Sequence, residues 1–494
     1  MLTRSHSPAN PRRAALVGVA ATMLLVVVAC GNRHSTSDLL RVQSVAASAG
    51  DAGPGVASQA TGGGTSATTT PGASASGGAL PVAGASPVGA GGSTGAGSAA
   101  SGVGGTKAGG TAPSTGTAAS PAACTQPGAP LVVGQVGAWS GLVGQSAGNG
   151  RTGLAVWAQD VNARGGIACH PVQLYSVDDQ SSGDKSAAAV NDLVQNKKAQ
   201  AIVGSFVPID GAAYKSAVES NKVPTIGGDV TGPNWYDSPY MFAVGGAPEA
   251  VYTATMKGAT TLGKTKLALW YCVESSSCSY GEAFAKKNAP KVGASVVYET
   301  TISLTQSDFT SQCQNSKSAG ATAVFYFGDG SSVQRLARSC NNLGYNPTIM
   351  VPSLAAIAPL RTDPNTNKDG MVFGPSVFPW MLGDNPARKA FQDAYARYAP
   401  GAPTDAAAAT AWTDGKMLEA AVTKLGQTAV GQPITTAMIM EGLGMIQGET
   451  LGGLIPPTTF SPHQAATPAV GCAYVTTLEN QQWHPQNNGQ LYCL

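Results

Sequence analysis

The chain has 494 residues, of which 43% are apolar and only 11% are charged, with 29 Lys and Arg against 27 Asp and Glu. Soluble domains usually carry about 25% charged residues, so this composition excludes nucleic-acid binding through a basic face. At roughly 150 residues per domain, the length suggests about three domains. Residues 43–123, however, are nearly all Ala, Gly, Ser, Thr, Pro and Val with no aromatic residue, and cannot bury enough apolar surface to fold. We therefore expect two folded lobes after residue 123.

The N-terminus predicts export. Residues 1–29 place three arginines and no acidic residue around the start of an apolar run, 14–29, which is the pattern of a cleaved signal peptide. The run is shorter than the roughly 20 apolar residues of a spanning helix. Val27-Val28-Ala29-Cys30 resembles a bacterial lipobox, in which the cysteine is lipidated and holds the protein on the bilayer. An ordinary signal peptide followed by a chance cysteine is the alternative, and the export route stays open.

Residues 30–123 are predicted to form a disordered tether rich in Gly, Ser, Ala and Thr. The r.m.s. reach of such a chain is about 5–6 Å × √n, or on the order of 50 Å here. We therefore expect an extracytoplasmic domain that moves above the membrane to which Cys30 anchors it.

The cysteine count also suits an exported protein. Nine cysteines are present, and without Cys30 an even number remains for disulfide bonds outside the cytosol. These cysteines allow about a hundred connectivities, so only proximity guides the pairing, and free thiols are the alternative at some positions. The expected pairs are Cys124 with Cys169, Cys272 with Cys278, Cys313 with Cys340, and Cys472 with Cys493. The spacing is not that of a zinc site, and we expect neither a metal ion nor a cofactor.

From Leu131 onward, short β-rich runs alternate with helical patterns of apolar residues. Positions 154, 157, 158 and 161 mark one helix face, and Gly165 with Gly166 ends that helix. The predicted strands of this half are 131–136, 172–177, 201–204 and 223–226, and its helices are centred on 154–161, 190–194 and 213–218.

The same alternation resumes after residue 250. Helices are predicted at 250–262, 280–289, 309–319 and 331–342, strands at 266–271, 294–298, 323–327 and 348–351, and a mostly helical segment at 385–443. Such alternation requires parallel sheets covered on both faces by right-handed crossovers. The predicted fold class is therefore α/β, with two doubly wound parallel-sheet lobes, in which ligands bind beyond the carboxyl ends of the strands.

Two segments match the sequence patterns of nucleotide-binding loops, but the predicted strands and helices around them are in the wrong order or position. Residues 258–265, GATTLGKT, match the phosphate-binding loop, which needs a strand before it and a helix after it. Here the predicted helix comes first, so Gly263 is expected to end a helix. Residues 148–153 match the dinucleotide fingerprint, yet they lie well beyond the strand that ends at Val136, whereas a true fingerprint begins directly after its strand.

Ser146 lies in a G-x-S-x-G sequence, the spelling of a nucleophile elbow, with His463 and His484 later in the chain. A true elbow is a sharp turn directly after a strand, and no strand is predicted directly before Ser146. The context therefore disfavours a nucleophile. A secreted serine hydrolase stays one alternative function, which labelling of Ser146 by a serine-reactive phosphonate would support.

Several short motifs occur in a fixed order along 131–480. They are GAWSG at 137–141, VNARGGI at 161–167, VDD at 177–179, IVG at 202–204, VPTI at 223–226 with Thr231, SYG at 279–281, and Asp308-Phe309. Their order and spacing resemble the type I periplasmic binding proteins of ABC transporters, in the branched-chain amino acid or amide group. The resemblance implies two lobes, joined by several crossovers, that close around a small solute and present it to a membrane permease without catalysis.

The resemblance also implies the domain organisation. The first lobe would comprise residues 124–247 and 376–455, and the second lobe residues 248–375 and 456–494. The expected partners are a small-molecule solute, an ABC permease and, through Cys30, the lipid bilayer, and we expect the protein to act as a monomer.

Ligand-binding positions follow from the same resemblance. Thr231 falls where the family uses a hydroxyl to bind the ligand carboxylate, and Asp229 lies in the same loop. Tyr280 matches the aromatic residue that the second lobe brings to the ligand, while Trp139 and Ser140 would line the cleft from the first lobe. A packing role is the alternative for Trp139 and Tyr280, and a turn hydroxyl is the alternative for Thr231.

The sequence departs from the amino acid binders at two positions. Pro208 stands where they have a carboxylate-binding serine, which leaves Ser205 as a substitute. Ser353 stands where they hold the ligand ammonium with an acid. Because a buried ammonium without a counter-charge is costly, either Asp229 or Asp329 serves instead, or the solute is not an amino acid.

Together these features predict an extracytoplasmic, lipid-anchored solute-binding protein that delivers an amino acid or amide-like molecule to an ABC importer. A tethered ligand sensor or adhesion protein on the same fold is the second alternative. It differs from an importer component only in its partner.

Overall fold

The computed structural model describes residues 124, 126–366, 368, 370–464 and 468–494. The predicted signal peptide, Cys30 and the tether lie outside the described residues. Within the described part of the chain, no helix is long and apolar enough to cross a membrane.

The first lobe is built on a five-stranded parallel sheet. Its strands are β1 (Leu131–Gly137), β2 (Val172–Asp178), β3 (Ala201–Ser205), β4 (Thr225–Gly228) and β5 (Met241–Phe242). They are arranged in the order β2-β1-β3-β4-β5. Every residue of β3 is buried, as expected for a central strand that is covered by helices on both faces.

Three helices connect the strands of this sheet. They are α1 (Gly144–Ala163), α2 (Gly183–Gln195) and α3 (Gly211–Asn221). Helix α1 ends where Gly165 and Gly166 adopt positive φ angles of 98° and 83°, a conformation that glycine reaches without a steric penalty. The predicted stop of this helix is therefore confirmed.

The second lobe repeats the strand order of the first. After helix α4 (Pro248–Thr261) come β6 (Lys266–Cys272), α5 (Ser276–Asn288), β7 (Ser295–Ile302), α6 (Thr310–Ser318), β8 (Ala323–Phe327), α7 (Gly330–Asn342), β9 (Thr348–Pro352) and β10 (Met371–Gly374). These strands are parallel and lie in the order β7-β6-β8-β9-β10. Each lobe therefore presents the carboxyl ends of its central strands at one edge.

The chain then returns to the first lobe as helices α8 (Pro386–Tyr398), α9 (Ala406–Lys424), α10 (Gln427–Val430) and α11 (Thr436–Gly444). Helix α9 packs against α1, β3 and β4. Small residues allow this close approach, because an added methyl group at Gly153 would collide with the backbone of Ala408, and one at Gly415 with the ring of Trp157. The predicted helical segment at 385–443 thus completes the first lobe.

The final segment completes the second lobe. Its strands are β11 (Cys472–Ala473), β12 (Thr476–Glu479), β13 (Gln482–Pro485) and β14 (Tyr492–Cys493). Strand β12 pairs antiparallel with β10 and with β13, which makes a seven-stranded mixed sheet, while β11 and β14 form a separate two-stranded sheet. The second sheet is therefore not wholly parallel, because this hairpin reverses direction at its edge.

All four predicted disulfide pairs are present in the structure. They join Cys124 to Cys169, Cys272 to Cys278, Cys313 to Cys340, and Cys472 to Cys493. The first bond lies in the first lobe and the other three lie in the second lobe. The exact lobe boundaries that the sequence suggested stay a prediction.

Both nucleotide-like motifs lie in the context predicted from the sequence. Residues 258–265 run from the last turn of α4 towards β6, with Gly263 just after the helix at a φ of 75°. Residues 148–153 lie inside α1 rather than after a strand. Neither segment forms a loop between a strand and the N-terminus of a helix, which both of these nucleotide-binding motifs require.

Candidate ligand-binding cleft

A cavity lies between the two lobes at the carboxyl ends of strands from both sheets. The volume of the cavity is about 80 Å³, and the empty space is about 640 Å³ when the open mouth of the cavity is included. Doubly wound sheets bind their ligands at this edge. The residues that line it are Val143, Ser146, Ala147, Pro208, Ile209, Asp229 and Thr231 from the first lobe, and Tyr252, Cys272, Ser275, Ser277, Cys278, Leu304, Phe327, Gly328, Asp329, Pro352, Leu354 and Ala355 from the second.

Most of the cavity wall is apolar. The rings of Tyr252 and Phe327 meet edge to face, with 5.3 Å between their centroids. The disulfide bond between Cys272 and Cys278 forms another part of the wall and closes the loop from β6 to α5. An apolar cavity with a few placed polar groups is typical of small-molecule binding sites.

Asp229 and Thr231 reach the cavity from the first lobe, in the loop after β4. The Thr231 hydroxyl donates to Asp229 Oδ1 over 2.6 Å, and the Thr231 amide donates to the same oxygen over 3.3 Å. Asp229 is only 7% exposed. This burial raises the pKa of its carboxyl group, against the opposing effect of the hydrogen bonds from Thr231.

Asp329 reaches the cavity from the second lobe, two residues after the end of β8, as the N-cap of α7. Its Oδ1 accepts the backbone amides of Ser331 and Ser332 over 2.8 and 3.3 Å. The hydroxyls of the same two serines also donate to the two oxygens of its carboxylate. Such a cap satisfies amides that the helix leaves unpaired, at the end where negative charge is favoured. Both oxygens of Asp329 are therefore occupied within its own helix.

Two hydrogen bonds join the lobes beside the cavity. The amide of Gly330, the first residue of α7, donates to Ser146 Oγ over 2.8 Å. The Ser275 hydroxyl donates to the carbonyl oxygen of Pro208 over 2.7 Å. Because Ser146 lies in the first turn of α1, the N-termini of two helices meet at the cavity. The lobes are therefore closed on one another.

The match to known sequences agrees with this geometry. Residues 130–482 match the family described as periplasmic binding protein. The chain belongs to this family. Its α/β fold with two lobes is the type I fold of such proteins, which confirms the resemblance that the sequence motifs carried, and a solute-binding role follows from the membership.

Solved structures show the same fold for other binding proteins. The leucine-binding protein LivK of Thermotoga maritima is 15% identical with a TM-score of 0.61, over 74% of this chain and 99% of that chain. A solute-binding protein of R. palustris, in complex with benzoate, is 19% identical with a TM-score of 0.59, over 74% and 98% of the two chains. LivJ of Streptococcus pneumoniae, in complex with isoleucine, is 19% identical with a TM-score of 0.60, over 74% and 99%. No curated protein sequence matches the chain.

The structure brings three of the predicted ligand-binding residues of this binding protein to the cavity, namely Asp229, Thr231 and Asp329. Trp139 and Ser140 lie outside its lining. The indole of Trp139 packs against Phe206, with 5.9 Å between ring centroids. The Ser140 hydroxyl donates to Asp178 over 2.6 Å, which fixes the loop after β1.

Ser205, Tyr280 and Ser353 also lie outside the lining. Ser205 Oγ accepts the amide of Val136 over 3.3 Å within the first sheet. The Tyr280 hydroxyl donates to Glu249. Burial is the main cause that raises the pKa of this tyrosine, and the negative charge of Glu249 is the second. The Ser353 hydroxyl is buried without a partner among the described residues, and both of its chain neighbours line the cavity. A direct role in ligand binding stays a prediction for these three residues, as it does for Trp139 and Ser140.

Several residues of the cavity wall were not predicted from the sequence. Ile209, Ser275 and Leu304 lie in loops after strands, and Leu354 lies in a 3₁₀ turn after β9. The paths of such segments follow from tertiary packing rather than from periodicity. One signal was present for Ser275, because it lies between the two cysteines of a predicted disulfide bond. The position of Asp329 two residues after a buried strand was a similar signal, and the structure brings this residue to the cavity wall.

Ser146 lines the cavity, but not with the geometry of a hydrolase. It lies in the first turn of α1 rather than on a turn directly after a strand, where the elbow places its nucleophile. Among the described residues that line the cavity, none is a histidine. His463 faces the ring of Tyr240 at 6.4 Å between centroids, and His484 is part of the β12–β13 hairpin. The described geometry therefore does not bring Ser146 and a histidine together at the cavity.

Proposed function

We propose that this protein captures a small solute in the interlobe cavity and delivers it to an ABC importer. The observation that carries the proposal is an apolar cavity whose wall comes from both lobes, at the carboxyl ends of both sheets. A site of this kind binds by enclosing its ligand, and release requires only that the lobes separate.

Ligand-driven closure has a simple physical basis in this arrangement. A ligand shifts a conformational equilibrium only by its difference in affinity for the two states. A solute that touches Ile209 in the first lobe and Leu354 in the second makes both contacts only when the lobes are closed. The hydrogen bonds from Gly330 to Ser146 and from Ser275 to Pro208 add to the stability of that closed state.

The proposed ligand class is an amino acid or an amide-like molecule. The solved relatives named above bind leucine, isoleucine or benzoate, and each of these molecules combines an apolar body with one polar end. A wall of apolar side chains with a few polar groups at one side would suit such a molecule.

The proposed location is the outer face of the cell membrane, where Cys30 would carry a lipid and residues 31–123 would act as the tether. Replacing Cys30 with alanine is expected to release the protein from the membrane fraction into the medium. If the variant remains with the membrane, the lipid anchor is wrong.

A thermal-shift screen of the purified protein tests the binding function. The panel comprises amino acids, amides, polyamines, aromatic acids and sugars, and a ligand at 100 times its Kd is expected to add about 2.7 kcal/mol to the free energy of unfolding. A broad panel without any shift would contradict a solute-binding role in this cavity.

Two matched variants locate the site of any ligand found. Leu354→Arg places a charge in the cavity wall and is expected to abolish the shift. Leu262→Arg makes the same change at a position that is 41% exposed at the end of α4 and is expected to keep it. Equal loss in both variants would place the ligand elsewhere.

The importer role needs a separate test. A strain that lacks the protein is expected to lose uptake of the identified ligand at low concentration, and Leu354→Arg is expected not to restore it. Normal uptake without the protein would favour a tethered sensor.

A further inference from the structure

The cavity is lined by acidic but not by basic side chains. Asp229 and Asp329 face it from opposite lobes, and no Lys, Arg or His is among the described residues that line it. Glu274 lies next to the lining residue Ser275, and one of its carboxylate oxygens is buried without a partner. The nearby guanidinium of Arg335 donates to the carbonyl oxygens of Leu304 and Gln306. The charge around the cavity therefore disfavours an anion.

Several hydrogen-bond donors at the cavity that could receive a ligand carboxylate are used within the protein. The Thr231 hydroxyl donates to Asp229, and the Ser275 hydroxyl donates to Pro208. At the N-terminus of α7, the first amide donates to Ser146 and the next two donate to Asp329. This helix end, which would otherwise attract an anion, is already satisfied.

Asp229 differs from these donors, because one of its carboxylate oxygens remains available to a ligand. Its Oδ1 accepts both hydrogen bonds from Thr231, while Oδ2 accepts none from any residue that the structure describes. The residue is more than nine-tenths buried and lines the cavity. A carboxylate that a bound ligand removes from water is costly to bury, and a cationic group on that ligand offsets the cost. An N–H donor that carries a positive charge makes the strongest hydrogen bond to such an oxygen.

We infer that the ligand carries a cationic amine that binds Oδ2 of Asp229, and that it needs no carboxylate. Its apolar body lies against Ile209, Leu304 and Leu354. Tyr252 and Phe327 supply aromatic surface to the same cavity, which also favours a cation. This inference rests on the proposed function, since it names the chemical class of solute that the interlobe cavity takes.

A matched set of probes tests the sign of the charge that is recognised. The probes carry one of three apolar groups, isobutyl, benzyl or pentyl, each as the primary amine, the carboxylate and the neutral carboxamide. Titration calorimetry measures the affinity of the wild-type protein for each compound. For the apolar group that fits best, the amine is expected to bind at least about tenfold more tightly than the other two, as a charged hydrogen bond implies.

The outcomes separate this inference from the function on which it rests. If a carboxylate or a carboxamide binds as tightly as its amine, the inference is wrong while the solute-binding function stands. If none of these probes and no member of the broader panel binds, both fail. A preference for the amine supports both.

Asp229→Asn supplies a second test on the same ligand. Affinity for the best amine is expected to fall about 10- to 100-fold, while affinity for the matching carboxamide stays within about twofold. Asp184→Asn, at an exposed position in the first turn of α2, removes the same charge from the first lobe and is expected to leave both affinities unchanged. Thermal unfolding of each variant without ligand checks that it is folded. An equal loss for the amine and the carboxamide in a folded Asp229→Asn protein would overturn the inference.

Discussion

The two lobes use the same strand order, yet the acid that follows a central strand has a different role in each. In the second lobe, helix α7 begins directly after Asp329, and its first amides and hydroxyls occupy both carboxylate oxygens. In the first lobe, no α-helix begins directly after Asp229, and its carboxylate accepts only the two hydrogen bonds from Thr231 among the described residues. The same residue type at equivalent edges of two sheets is therefore structural in one lobe and available to a ligand in the other.

The lobes also differ in what holds their helices in place. Helix α9 covers the first sheet with a long run of buried alanines and other small or apolar residues. Helix α6 of the second lobe has a polar sequence, TSQCQNSKS, in which only Cys313 and Ser316 are buried. A disulfide bond to Cys340 and a hydrogen bond from Trp270 to Ser316, of 3.0 Å, tie it down. The first lobe is held by packing, while this part of the second depends on specific bonds.

The largest expected effect comes from removing the disulfide bond that holds helix α6. Replacing Cys313 and Cys340 with alanine is expected to lower the free energy of unfolding by about 2–4 kcal/mol, since the disulfide closes a long loop. Urea unfolding measures this change. Replacing Cys272 and Cys278, which are 6 rather than 27 residues apart, is the matched control, and its effect is expected to be about 1 kcal/mol smaller because the loop is shorter. The reverse order would contradict this account of the second lobe.

A second expected effect is a dependence of the free energy of unfolding on pH that comes from the first lobe. Burial raises the pKa of Asp179 and of Asp405 to about 6, and both residues belong to the first lobe. A carboxyl group whose folded pKa is raised binds its proton more tightly in the folded state, so stability is highest below its unfolded pKa of about 4 and falls as the pH rises to about 6. Asp405→Asn is expected to reduce this fall by up to about 3 kcal/mol.

Urea unfolding between pH 4 and pH 7 checks this expectation. The control is Asp308→Asn in the second lobe, where hydrogen bonds from Thr310 and Ser339 outweigh slight desolvation and lower the pKa of the exposed carboxyl group. It has no raised pKa to remove and is expected to keep the wild-type fall. Parallel profiles for wild type and Asp405→Asn would contradict the role of the buried acid.

Much of this fold could be predicted from the sequence, because strands and helices leave regular patterns. The buried run at 323–327 was predicted with its exact bounds, since β8 has apolar residues on both faces. The strands at 371–374 and 476–485 were missed, because they are short and lie outside any alternation with helices. Their partners are distant in sequence, so only tertiary pairing stabilises them.

The site was less predictable for a related reason. Thr231 and Asp229 were placed near the ligand by the family resemblance, and Asp329 as one of two acids that could balance a ligand ammonium. The sequence did not reveal which hydrogen bonds these groups make with one another. The Thr231 hydroxyl was expected to bind a carboxylate, and in the structure it donates to Asp229. Such a choice depends on ångström-scale geometry that a pattern of residue types does not specify.

The helix cap offers a smaller and more specific test of the comparison between the two acids. Asp329→Ala is expected to lower the free energy of unfolding by about 1–2 kcal/mol, because it leaves amides at the start of α7 unpaired, whereas Asp329→Asn is expected to change it little, since asparagine caps as well as aspartate. Asp229→Asn is expected to keep or raise the stability of the ligand-free protein, since it removes a buried charge. Urea unfolding of the three variants decides the point. Equal losses for Asp329→Ala and Asp229→Asn would mean that both acids are structural.

The smallest expected effect concerns the contact where the two lobes meet. Ser146→Ala removes the acceptor of the Gly330 amide, which is buried where the closed lobes meet. Ligand affinity is therefore expected to fall about fivefold, corresponding to about 1 kcal/mol, while the free energy of unfolding without ligand changes less. Titration calorimetry with the best ligand measures this change, and Ser220→Ala, an exposed serine that bonds within α3, is the control. Complete loss of binding in Ser146→Ala would contradict this account, because a binding protein that loses one closing hydrogen bond still binds. Turnover of the ligand by the wild-type protein that Ser146→Ala abolishes would instead favour a nucleophile.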